Sequence, residues 1–197
     1  HMIRFRKEGL DHVVGDSLPE IVLVNSHDGT SGLQLWAGLF RLVCSNGMVV
    51  ASETYKKISL SHRGNLRDKV IDASYTVIDN AQKALVGVQE WSKIPMDWHS
   101  QREFAFEAMK ARYGEEAEFP FDSMNILRER RSEDYGSDLW TTFNVVQENL
   151  IRGGVQAARM KDGHISRRTI RAVRSVGKAV DLNADLWGIA ERYALAA

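Results

Sequence analysis

At Gly64-Asn65 the spacing of apolar residues changes from every second residue to every 3.6, and this switch constrains the fold more than any other feature. Before it, short Val- and Ile-rich runs alternate with turn signals. After it, long amphipathic stretches follow one another. Strands and helices are therefore segregated along the chain, which predicts an α+β fold and argues against alternating βαβ units.

The first third reads as a three-stranded antiparallel β-meander. Glu20 to Asn25 gives a short first strand, and Asp28-Gly29 supplies a turn where glycine tolerates positive φ. Leu33 to Val43 forms the long second strand, with Leu33, Leu35, Ala37 and Leu39 on one face. Asn46-Gly47 is the strongest two-residue hairpin signal. Met48 to Ala51 and Lys56 to Leu60 complete a returning strand, with a bulge or break at Ser52-Glu53. The meander is expected to pack on a long helix from Leu66 to Trp91, placing Leu35, Leu39, Val70, Ile78 and Leu85 in the core. Further helices are expected at Ser100 to Tyr113, Asp122 to Arg131, and Ser137 to Arg152, where Gly153-Gly154 stops the helix. A short basic strand from Ser166 to Val173 and a last helix, Leu182 to Leu195, close the sequence. Residues 1–19 read as an N-terminal segment, with His1-Met2 a cloning remnant, and 20–197 as a single domain of a size that can bury a core.

Two sets of residues carry a family resemblance. One is Asn25-Ser26-His27-Asp28-Gly29-Thr30 followed by Phe40-Arg41-Leu42-Val43-Cys44-Ser45-Asn46-Gly47. The other is Trp140, Asn144 and Gln147-Glu148-Asn149-Leu150-Ile151-Arg152-Gly153-Gly154, then the arginine-rich strand and Asn183 to Trp187. Together, over roughly residues 20 to 193, they resemble the phage- and plasmid-borne family catalogued as domain of unknown function 932. The resemblance implies a mobile genetic element and carries no known chemistry.

Charge is balanced overall, with 26 basic and 26 acidic residues, but it is unevenly placed. From Arg152 to Lys178 eight cations face one acid, Asp162, for a net +7; from Glu115 to Asp138 eight acids face three arginines, for a net −5. Such neighbouring blocks suit a dipolar molecule, an intramolecular pairing or a head-to-tail homo-oligomer. The single cysteine excludes an internal disulfide and fits a reducing cytoplasm. No apolar run reaches the length of a membrane span.

Arg167, Arg168, Arg171 and Arg174 are the best binding candidates. In an extended segment Arg167, Thr169 and Arg171 project one way and Arg168 and Ile170 the other, giving a basic strip suited to a phosphate backbone. Gly153-Gly154 and Asp162-Gly163 would let Arg159, Lys161 and His164 join as a mobile flap. Arg41 and Arg152 are further phosphate candidates. Trp140, Asn144 and Gln147 share a helix face, where an indole can stack on a base and amides can bond its edge. Trp36 is a second stacking candidate. The same helix residues equally fit core packing, with the amides satisfying buried backbone.

Ser26, His27 and Asp28 have triad chemistry, but adjacent strand residues point in alternating directions and cannot form one triad. Cys44 ends an apolar strand, where a thiol behaves as a small buried group. No zinc spacing, phosphate loop or dinucleotide fingerprint is present, so no metal or cofactor is expected. The reading reached is a cytoplasmic nucleic-acid-binding accessory protein, favouring single-stranded DNA for binding or annealing. The β-meander and long helix resemble the element order of Red-beta- and Rad-type annealing proteins, a likeness of fold alone. The alternatives are a protein-binding module, such as an inhibitor acting on a host protein, and a hydrolase around His27 and Asp28.

Overall fold

A computed structural model of the chain describes residues 2–5, 17–25, 32–41, 46–50, 58–60, 65–161 and 163–197. The fold is α+β, and its contacts group into two compact units, residues 1–90 and 91–197.

The first unit is built on an antiparallel sheet. Strands β1 (Met2–Phe5), β2 (Ser17–Val24), β3 (Leu33–Arg41) and β4 (Asn46–Val50) lie side by side in that order. A short β5 (Ile58–Leu60) pairs with the first three residues of β3, while β4 pairs with its far end, Ala37 to Arg41. The returning strand is thus broken into two pieces on one central partner. Met2–Phe5 pairs with Ile21–Val24, so the sheet recruits chain ahead of Glu20. Both faces of β3 are buried, with Leu35 and Leu39 on one and Trp36 on the other. A strand covered on both sides reads as a continuous apolar run, as this one does.

One turn expectation needs correction. Arg41 pairs with Asn46 and Phe40 with Gly47, so the Asn46-Gly47 dipeptide opens β4 instead of forming the reversal. Asp28-Gly29, His27, Ser26 and Cys44 lie outside the described residues.

Helix α1 (Leu66–Trp91) has the bounds the periodicity predicts. Asn65 sits at its start, its side-chain oxygen accepting weakly from Asp68 N at 3.5 Å. The buried stripe runs through Ala73, Val77, Ala81, Ala84, Leu85 and Val88. Val70 is half-buried and Ile78 is 37% exposed, which corrects their core assignment. Apolar residues occupy more than one side of this helix, and the alanines mark the side that is covered.

The second unit is helical with one β-ribbon. Helix α2 (Trp98–Tyr113) starts at Asp97, which accepts from Ser100 N at 2.7 Å, and ends at Gly114 with φ +103°. The segment expected as a helix from Asp122 to Arg131 instead makes two short 3-10 turns, Ser123–Leu127 and Ser132–Asp134. Two of its carbonyls, those of Ile126 and Arg128, are captured by Asn149 of the next helix, as described below. Helix α3 (Leu139–Arg152) is followed by strands β6 (Gln156–Lys161) and β7 (His164–Thr169), then by α4 (Val176–Ala196), capped by Ser175.

The core of this unit is aromatic. Trp91 lies 4.5 Å from Trp187 and 5.9 Å from Phe143, and Phe143 stacks on Trp140 at 5.7 Å. Such ring pairs add to the large area each ring buries. On the outside, Glu107 of α2 accepts from Arg192 and Tyr193 of α4, and burial pushes the Tyr193 phenol well up. Among the described residues no helix is long and apolar enough to cross a membrane.

Asp138 begins α3, accepting from Thr141 N at 2.8 Å and Thr141 Oγ1 at 2.7 Å. Asp138→Ala orphans both donors and is expected to cost about 1 kcal/mol of unfolding free energy in denaturant titration.

Candidate nucleic-acid interface

Every residue of helix α3 from Leu139 to Leu150 except Thr141 is buried, polar residues included. The interior must therefore satisfy a row of amides and a carboxylate. Asn144 Nδ2 donates to Trp140 O at 2.6 Å, and Gln147 Nε2 donates to Asn183 Oδ1 of α4 at 2.8 Å. Asn149 Nδ2 donates to Ile126 O and Arg128 O, both at 2.9 Å, while its Oδ1 accepts from Arg130 Nε at 2.7 Å. One amide thus holds three groups of the 3-10 segment against the helix.

Glu148 is the charged member, 3% exposed. Arg131 Nη2 donates to both its oxygens at 2.8 Å, and Arg152 Nη1 reaches Oε1 at 3.2 Å. Arg131 also pairs with buried Asp134 at 3.6 Å. Arg130 donates to Gly153 O, which carries the network to the end of the helix.

That end fixes the β-ribbon. Gly153 has φ +65°, and a Cβ there would lie 2.4 Å from Ile170 O. Only glycine allows this close approach. Gly154 N donates to Ile170 O at 2.7 Å, Ile170 N to Val155 O at 2.9 Å, and Val173 N to Ile151 O at 2.9 Å. The Arg112 guanidinium, its pKa pulled down by burial, donates to the carbonyls of Leu150 and Arg171. Asn125 clamps β6 from its other side, accepting from Ala158 N at 3.2 Å and donating to Ala158 O at 3.3 Å. Gly153-Gly154 is a welded joint, which corrects the mobile-flap expectation at that point.

The ribbon turns at Gly163, φ +75°, and every residue of β7 is exposed. Arg168 opposes Ala157, and Arg167 opposes Ala158. Opposed residues share a face, so the two arginines project from opposite sides of the ribbon. The strand ends at Thr169 and Ile170 is buried, leaving Arg171 and Arg174 exposed in the segment that follows. Arginines on both sides of a two-stranded ribbon replace the single strip expected from sequence.

None of Arg167, Arg168, Arg171 and Arg174 forms an ion pair with a described acid. Much of the acidic block is engaged elsewhere. Asp122 accepts from Met124 N, Asp138 caps α3, Asp134 serves Arg130 and Arg131, and Glu115 meets Lys110 at 3.0 Å.

The remaining candidates divide clearly. Trp140, Asn144 and Gln147 are core residues, which corrects their assignment as base contacts. Trp36 is buried as well. Arg152 is occupied with Glu148. The side chain of Arg41 lies outside the described set, as do those of Arg159 and Lys161. Among the described residues no group of three or more His, Cys, Asp or Glu is placed to hold a metal ion.

The fold and site define an α+β protein with a polar, internally bonded helix at its centre and an exposed arginine-bearing ribbon. The chain belongs to the family described as domain of unknown function (DUF932), whose model matches residues 2–187. It is 38% identical over 191 residues to the UPF0380 proteins YafZ and YfjQ of Escherichia coli K12, an overlap covering 97% of this chain and 67% of each relative. No solved structure matches.

Glu148→Ala removes the bidentate partner of half-buried Arg131 and is expected to cost about 3 kcal/mol in denaturant titration. Arg168→Ala, on the exposed ribbon, is expected to change stability by less than about 0.5 kcal/mol.

Proposed function

We propose that this protein binds nucleic-acid backbones through Arg167, Arg168, Arg171 and Arg174, with single-stranded DNA the favoured ligand. The observation that carries the reading is the exposure of four arginines, on the ribbon and just after it, that no described acid neutralises. Guanidinium groups give bidentate, permanently charged contacts to phosphate, and releasing condensed counterions drives such binding. The anchored base of the ribbon supports the same reading. Gly153, Arg112 and Asn125 hold the strands in place, so little ordering of backbone accompanies binding.

The wider setting is that of an accessory protein encoded by a mobile element and working in the cytoplasm, in keeping with the resemblance to phage- and plasmid-borne proteins. A chain with a single cysteine suits that compartment.

Reversal of Arg168 and Arg171 to glutamate tests the site. Phosphate contacts do not read sequence, so affinity is expected to fall about 10-fold or more at low salt, alike for all oligonucleotides. The slope of log affinity against log salt should flatten by about 1.4, or roughly 0.7 for each contact removed from a single strand. Fluorescence anisotropy at several salt concentrations reads both, with a melting curve to show that the variant is folded. Unchanged affinity in the folded variant removes the proposed site.

A further inference from the structure

The Arg167 face of the ribbon carries a second feature that phosphate binding alone leaves unused. Met160 and Ile165 are directly paired across the strands, and both are large, apolar and outward, 74% and 62% exposed. They form one wall of an open groove of about 510 Å³, with Ala158 beside them. Phe119, Phe121 and Asp122 complete its lining. The volume falls within the roughly 300–1,000 Å³ that ordinary ligand sites occupy.

Three observations decide what this groove accepts. First, its walls are apolar and partly aromatic. Phe119 is half-buried and packs edge-on against exposed Phe106 at 5.4 Å. An aromatic face beside apolar side chains suits a flat, unpaired base, because every base has a π-face. Second, Arg167 stands directly opposite Ala158 in the strand register, which puts a cation at the rim of the same groove. Third, Asp122 presents a carboxylate whose Oδ1 already accepts from Met124 N at 2.9 Å. A carboxylate repels phosphate but accepts from base amino groups, so it orients the base inward and the phosphate toward Arg167. An apolar peptide segment would leave the Asp122 carboxylate and the nearby Arg167 cation without a role.

We infer that the groove between Phe119 and the Met160–Ile165 pair is a base-binding subsite for single-stranded nucleic acid, entered from the Arg167 rim. The inference rests on the backbone-binding reading and adds strand selectivity to it. In a duplex the bases are stacked and paired, and the groove is denied them. The ribbon's arginines contact the backbone of either form; the groove rewards only the single strand.

The test uses Met160→Gln combined with Ile165→Thr, two exposed positions where polar residues leave the fold intact, with the melting temperature as the control. Affinities for a mixed-sequence single-stranded oligodeoxynucleotide and for its duplex are measured by anisotropy against wild type. The expected result is a loss of about tenfold for the single strand, no change for the duplex, and an unchanged salt slope. Equal loss on both forms, or wild-type affinity for the single strand in the folded variant, overturns the subsite while leaving the backbone site standing. A wild-type protein that binds neither form at low salt overturns the backbone reading and the subsite together.

Discussion

The interior position of the Glu148 carboxylate is the constraint on which the second unit depends. A buried anion is tolerated only when cations and donors surround it, and here Arg131 supplies a pair of bonds and Arg152 a third contact. Arg131 comes from the 3-10 segment and Arg152 from the end of α3, so both must be in place before the carboxylate is satisfied. Asn149, one residue on, binds the same segment through backbone carbonyls and Arg130. The polar side of α3 therefore specifies its neighbours by bonding pattern, and the aromatic side supplies the burial.

The residues that carry the family resemblance converge on this assembly. Trp140 stacks with Phe143, Phe143 meets Trp187, and Gln147 bonds Asn183, so the two ends of the second signature, on α3 and α4, become one interior. Gly153 completes it by letting the strand after α3 approach Ile170 within contact distance. The exposed arginines are a separate matter, borne by the ribbon and the segment that follows it.

Much of the fold was legible because single signals were unambiguous. Twenty-six residues of 3.6 periodicity after Asn65 define α1, and Gly114 and Gly153-Gly154 mark the ends of α2 and α3. The Asn46-Gly47 hairpin misled because a local turn preference was overridden by sheet register, which places both residues in a strand. Strand β6 was hidden because Gln156-Ala-Ala-Arg-Met-Lys lacks β-branched residues; its partner β7 and the Asn125 clamp make it a strand. The burial of Trp140, Asn144 and Gln147 was an open alternative in sequence, since an amide row on a helix fits a ligand or a core equally well. Their partners, Trp140 O and Asn183, decide it. The groove at Phe119 has no sequence signature, for it joins residues about forty apart through the ribbon's register.

The central proposal is that the exposed arginines, which pair with no described acid, bind a polyanion, and the salt dependence of wild-type binding addresses it most directly. Titration of a single-stranded oligodeoxynucleotide across a range of monovalent salt should give tight binding at low salt. Log affinity should fall with log salt at a slope near −3, the value expected for about four phosphate contacts at roughly −0.7 each. An affinity independent of salt, or no binding at the lowest salt used, would contradict the account.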